Sequence, residues 1–135
     1  MKRILLLSIT ILMVMFTNSC KAKSTDKQAD EATSDKVEAY YFHFTSRCVT
    51  CLAVESEAQK DLQALYGNEV IFKSINLDEP SSKQIAEKLQ APGQALLIVK
   101  GNKIINLTNE GFLYARKDPA KFKSVIKETV DSLLK

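Results

Sequence analysis

The chain has 135 residues, enough for one domain and too few for a second sizeable core. Its 45% hydrophobic and 26% charged content is that of an ordinary soluble globular protein. The formal charge of +3 comes from 19 basic and 16 acidic residues, with no Lys/Arg cluster interleaved with aromatics, which sets nucleic-acid binding aside.

The first element is a targeting segment. Met1-Lys2-Arg3 is a positive n-region, and Ile4 to Phe16 is almost unbroken apolar sequence, shorter than the about 20 residues a membrane helix needs. Small and polar residues, Thr17-Asn18-Ser19, stand directly before Cys20. This resembles the lipobox of bacterial lipoproteins, with Thr17 in place of the usual Leu. The resemblance implies a signal peptide over 1–19, lipid on Cys20, and a domain outside the cytoplasm in the cell envelope. A plain secretory signal or an uncleaved anchor, with Cys20 incidental, is the other reading. Of the three cysteines, one would stand unpaired in an oxidising compartment, and a lipidated Cys20 accounts for it. Lys21 follows Cys20, which leaves inner versus outer membrane open.

Residues 20–36 form the anchor and its tether. Lys21 to Lys36 has no aromatic and no branched aliphatic residue, too little apolar surface to offset ordering entropy. A folded domain is expected over 37–135. Val37 to Phe44 is rich in β-favouring residues and apolar on both faces after Ala39, as in a central strand. Tyr40, Tyr41, Phe42 and Phe44 are expected in the core. After the polar Thr45-Ser46-Arg47, a helix is predicted with Leu52, Ala58, Leu62 and Leu65 inward and Gly67 as its C-cap. Glu69 to Leu77 reads as a strand. Ser81 or Ser82 is expected to cap a helix through Ile85, Ala86 and Leu89. Ala95–Val99 and Lys103–Leu107 flank a Lys100-Gly101-Asn102 turn as a hairpin. A last helix opens at Asp118-Pro119 and places Phe122, Val125, Ile126, Val130 and Leu133 on one face. The order β-α-β-α-β-β-α implies an α/β fold, a central mixed sheet with helices on both faces.

Cys48 and Cys51 fall at the junction of the first strand and first helix. Two cysteines at i and i+3 across a helix start can close a disulfide. The first faces the free N–H groups of the helix N-terminus, which stabilise a thiolate. That makes Cys48 the nucleophile and Cys51 the resolving thiol, with Arg47 adding positive charge beside Cys48.

Cys48-Val49-Thr50-Cys51 after Tyr41-Phe42-His43-Phe44 resembles the active-site turn of the thioredoxin-like superfamily. Ile75-Asn76-Leu77-Asp78 and the hairpin around Gly101-Asn102 are similar to later parts of that fold, so the resemblance covers most of 37–135. The lipoprotein signal, polar tether and Tyr-Phe-His-Phe-Thr-x-Arg-Cys-x-x-Cys pattern more narrowly resemble the ArsF-like family. Its members are named as subunits of a nitrophenyl-compound nitroreductase. Three positions depart from the thioredoxin pattern. Phe42 stands where thioredoxins carry a buried acid, and Gln94 stands where they carry a cis-proline, with Pro92 two residues earlier. Val49-Thr50 replaces the common Gly-Pro.

The leading reading is a membrane-tethered thiol–disulfide oxidoreductase or electron-transfer subunit. The redox-active Cys48–Cys51 disulfide replaces any bound cofactor, and no Gly-rich phosphate loop suggests a flavin or nicotinamide in this chain. Its partners would be a protein disulfide or dithiol and a membrane redox subunit. Capture of a soft metal or trivalent arsenical by Cys48 and Cys51 is the alternative. An accessory subunit of a nitroreductase or arsenical-resistance system, whose fold matters more than its thiols, is a third reading. A static bracing disulfide is disfavoured because so short a loop restrains little. Structural zinc needs about four ligands, and His43 is the sole histidine. His43 is expected as a hydrogen-bonded core residue or as a group tuning the thiolate. Thr50 is a candidate donor to the Cys48 thiolate or a simple cap.

Overall fold

The computed structural model describes residues 35–135, so the signal segment, Cys20 and nearly all of the tether lie outside the described residues. Strand β1, Val37–His43, is the middle of the molecule. It runs parallel to β2, Val70–Asn76, from Val37↔Val70 to His43↔Asn76. On its other side it runs antiparallel to β3, Ala95–Lys100, from Glu38↔Val99 to Phe42↔Ala95. The short β4, Lys103–Asn106, pairs antiparallel with β3 across a turn at Gly101. The sheet order is β2-β1-β3-β4, the mixed sheet flanked by helices that the thioredoxin-like resemblance implies.

The period-2 alternation of β1 explains why helices cover both faces. Val37, Ala39 and Tyr41, with Leu96 and Ile98 of β3, face one side. There they meet Val54, Ala58 and Leu62 of α1, Val49–Tyr66, and Phe122, Ile126, Val130 and Leu133 of α4, Pro119–Leu134. Tyr40 and Phe42, with Ala95, Leu97 and Val99, face the other side against Leu89 and the partly buried Ile75, Ile85 and Ala86. The short α2, Lys83–Lys88, supplies Ile85 and Ala86 to this second layer.

Several helix ends follow from their residues. Gly67 closes α1 at φ 54°, a conformation that an L side chain resists, and its N–H donates to Gln63 O at 3.0 Å. Asp118 caps α4 by accepting from Lys121 N at 2.9 Å, with Pro119 opening the helix. Ser82 holds the N-cap position of α2 without capping it, because its hydroxyl donates to Glu79 O at 2.6 Å within the Pro80–Ser82 turn.

Besides Ser82, which leaves α2 uncapped, the structure departs from the sequence expectation at three places. An additional helix, α3, Thr108–Tyr114, separates β4 from α4. Phe44, expected in the core, is 44% exposed because β1 ends at His43 and the chain turns to the surface. Leu52, expected inward, is 49% exposed. It lies six residues from Ala58, which helical geometry places on a different face. The inward stripe of α1 is Cys51, Val54, Ala58, Asp61 and Leu62, a cysteine and an acid included.

α3 sits against α1 and α4. A Cβ at Gly111 would stand 2.9 Å from Val54 Cγ1 and 3.5 Å from Phe122 Cζ, so the backbone approach there depends on glycine. The outer strands are β2 and β4. On β2, Lys73 donates to Glu38 at 2.7 Å and to Tyr40 Oη at 3.2 Å, and lies 5.0 Å from the Tyr40 ring centroid. No helix among the described residues is long and apolar enough to cross a membrane.

Candidate active site at the start of α1

The strand-to-helix turn brings both cysteines to the C-terminal end of β1. Cys48 and Cys51 are joined in a disulfide with their Cα atoms 5.1 Å apart. Cys48 is the N-cap of α1 in extended conformation, and its sulfur accepts from Cys51 N at 3.2 Å. No acidic residue stands in the first helical turn to offset the positive helix end. The two sulfurs differ in access. Cys48 is exposed, whereas Cys51 is 5% exposed on the sheet-facing stripe. Of the two, Cys48 is the one open to the surface.

Behind Cys51 stands Gln94, the residue that the sequence reading puts in the place of the thioredoxin cis-proline and counts with the site. Gln94, just ahead of β3, brings Oε1 to 3.6 Å from Cys51 Sγ. Its Nε2 donates to Tyr41 Oη at 2.6 Å, and the Tyr41 hydroxyl donates to the backbone carbonyl of Cys51 at 2.8 Å. Burial pushes the Tyr41 phenol up, the Gln94 hydrogen bond opposes that, and the Glu55 charge adds to it. Gln94 thus sits beside the pair, its amide oxygen facing the trailing sulfur. Pro92 lies two residues away, and no peptide bond among the described residues is cis.

Arg47 is placed on the flank. Its guanidinium pairs with Glu55, whose other oxygen accepts from the Ser74 hydroxyl. Its second nitrogen lies 3.1 Å from His43 Nε2. His43 is buried at the end of β1, with Nδ1 2.9 Å from Phe44 O. A carbonyl accepts only, so Nδ1 carries the proton and Nε2 accepts from Arg47. His43 therefore holds Arg47, and Arg47 shares its charge with Glu55. Thr50 is half-buried in the first turn, and the donor reaching Cys48 Sγ is the Cys51 N–H, not the Thr50 hydroxyl.

The loop between β1 and α1 is tied to the end of β2. Asp78 accepts from Thr45 N at 2.7 Å, and Asn76 Nδ2 donates to Thr45 Oγ1 at 3.0 Å. The Thr45 bonds hold the Asp78 carboxyl below the usual carboxylate range. No group of three or more His, Cys, Asp or Glu side chains is arranged to hold a metal ion among the described residues.

Tyr41, Glu55 and Ser74 belong to this site and were not singled out from the sequence. Tyr41 is indistinguishable there from a core aromatic. Glu55 is one of several acids on α1, although it lies one or two helical turns from Cys48 on the way back toward β2. Cys20, the residue expected to carry lipid, is outside the described residues.

No family model matches the chain, and no curated protein matches it either. Among solved structures it is similar to a malarial protein at 21% identity, over 66% of this chain and 96% of that one, with a TM-score of 0.46. It is also similar to thioredoxin from Trypanosoma brucei brucei at 22% identity, over 70% of this chain and 79% of that one, with a TM-score of 0.43.

Proposed function

We propose that the chain is a thiol–disulfide oxidoreductase, held by a lipid on Cys20 at the outer side of a bacterial membrane. The observation that carries the reading is the Cys48–Cys51 disulfide at the N-terminus of α1, with the leading sulfur exposed and the trailing one buried. In the reduced state, Cys48 would face the helix N-terminus as a thiolate. It attacks a partner disulfide and forms a mixed disulfide, releasing one partner thiolate. Cys51 then attacks Cys48 Sγ, and the second partner thiol leaves with the electrons. Run backwards, the same steps oxidise a partner dithiol.

A polypeptide partner suits the surroundings. Phe44, Val49 and Leu52 are exposed large hydrophobic residues within four positions of Cys48. The narrower reading, an electron-transfer subunit beside a membrane redox protein, draws on the ArsF-like resemblance of the lipoprotein signal, the polar tether and the Tyr-Phe-His-Phe-Thr-x-Arg-Cys-x-x-Cys pattern. In that case a flavin would belong to the partner.

A redox titration of the chain, with alkylation and peptide mass mapping, tests the proposal. A reversible two-electron transition at Cys48–Cys51 is expected. A potential near about −270 mV would mark a reductant and one near about −120 mV an oxidant. Cys51→Ser should accumulate mixed disulfides with specific partners, and Cys48→Ala should accumulate none. If no reversible disulfide forms, the reading is lost, and capture of a soft metal or trivalent arsenical by the two thiols takes its place.

A further inference from the structure

The chain of hydrogen bonds behind Cys51 has only one consistent direction. The Cys51 carbonyl oxygen accepts and cannot donate, so the single Tyr41 hydroxyl proton goes to it, at 2.8 Å. The Tyr41 oxygen is then an acceptor toward Gln94, 2.6 Å away, and the Gln94 atom facing it must be the NH2 nitrogen. That leaves the amide oxygen, and not the nitrogen, facing Cys51 Sγ at 3.6 Å. The two sulfurs therefore meet opposite partners. Cys48 Sγ faces an N–H donor, which favours a thiolate, and Cys51 Sγ faces a carbonyl oxygen, which favours a thiol.

We propose that Gln94, locked in orientation by Tyr41, is a positioning residue that keeps the Cys51 thiol protonated while Cys48 forms the mixed disulfide. The inference rests on the oxidoreductase reading and deepens it, because it assigns the order in which the two sulfurs act. A neutral amide takes up no proton. When Cys51 attacks, its proton passes to the partner thiolate released in the first step. The Cys51–Cys48 bond forms, the Cys48–partner bond breaks, and the partner leaves reduced by two electrons. Without the lock the Gln94 NH2 is free to turn to Cys51 and favour its thiolate, and the reduced pair would lose its fixed order of attack.

The test reads the ionisation of Cys51 directly. In the full chain carrying Cys48→Ala, the iodoacetamide alkylation rate of Cys51 is followed against pH. Peptide mass mapping scores Cys20 separately. Adding Gln94→Glu puts a carboxylate at the same place, and the Cys51 midpoint should rise by about one pH unit or more. Adding Tyr41→Phe removes the hydroxyl that fixes the amide, lets the NH2 turn to the sulfur, and should lower the midpoint. Thermal melts check that both variants are folded, and a purely structural role would move the melts without moving the pH profile. Either midpoint staying in place overturns the assignment. The measurement involves no disulfide exchange, so it can fail while the redox titration succeeds, and the reverse.

Discussion

Asp61 stands on the inward stripe of α1, between Ala58 and Leu62, and is 2% exposed. One carboxylate oxygen has no hydrogen-bond partner, and the other lies 3.7 Å from Lys123 Nζ. Burial pushes its carboxyl above the usual range, and Lys123 and Lys60 pull only part of the way back. A carboxylate raised in the folded state binds its proton more tightly there than in the unfolded chain. Stability attributable to Asp61 is therefore present below the ordinary carboxylate range and lost as pH rises through the raised folded value. Asp61→Asn should gain on the natural chain as pH rises from about 4 to 7, by on the order of 1 kcal/mol, and converge with it in acid. Melting curves across that range check this. Asp78 works in the opposite sense. Held low by Thr45, it supports the fold above the ordinary carboxylate range and releases that support as acid protonates it.

At the next scale, α3 shows what tight helix contact requires. Gly111→Ala would press its Cβ on Val54 at 2.9 Å, and the repacking should cost about 1–3 kcal/mol in denaturant unfolding. The same residue explains why α3 is illegible in the sequence. Asn109-Glu110-Gly111 looks like a loop, and Phe112 and Leu113 are exposed, so no inward stripe announces a helix. Elsewhere local rules agreed with tertiary packing. The apolar run of β1 marked a strand buried on both faces, Gly67 marked the end of α1, and Asp118-Pro119 marked the start of α4. The Cys48–Cys51 pair was legible for the same reason, since its chemistry depends on a strand-to-helix junction that local sequence specifies. Gln94 and Tyr41 are 53 residues apart, and only the β1–β3 register, Phe42↔Ala95, brings them together. Their partnership has no local signature. On α1 the apolar pattern placed Ala58 and Leu62 inward as observed, put the exposed Leu52 with them, and passed over Asp61, an acid in a core position that hydropathy gives to apolar residues.

For the molecule as a whole, the sheet sets the Cys48–Cys51 pair at one end of its central strand, between two helical layers. The pair thus sits where a strand and a helix meet, with Cys48 exposed and Cys51 buried. The proposed tether would keep the domain near a membrane. Cys20→Ala should move the chain from the membrane fraction to the soluble fraction of cells, read by immunoblot, and a chain that stays with the membrane would remove the lipid anchor from the proposal. The outer strand β2 has its own consequence. Seven residues long, it has no strand partner on its outer side among the described residues. Lys73 lies in the middle of this strand, paired across to Glu38 and Tyr40 of β1. A charge on an edge strand disfavours edge-to-edge pairing between copies.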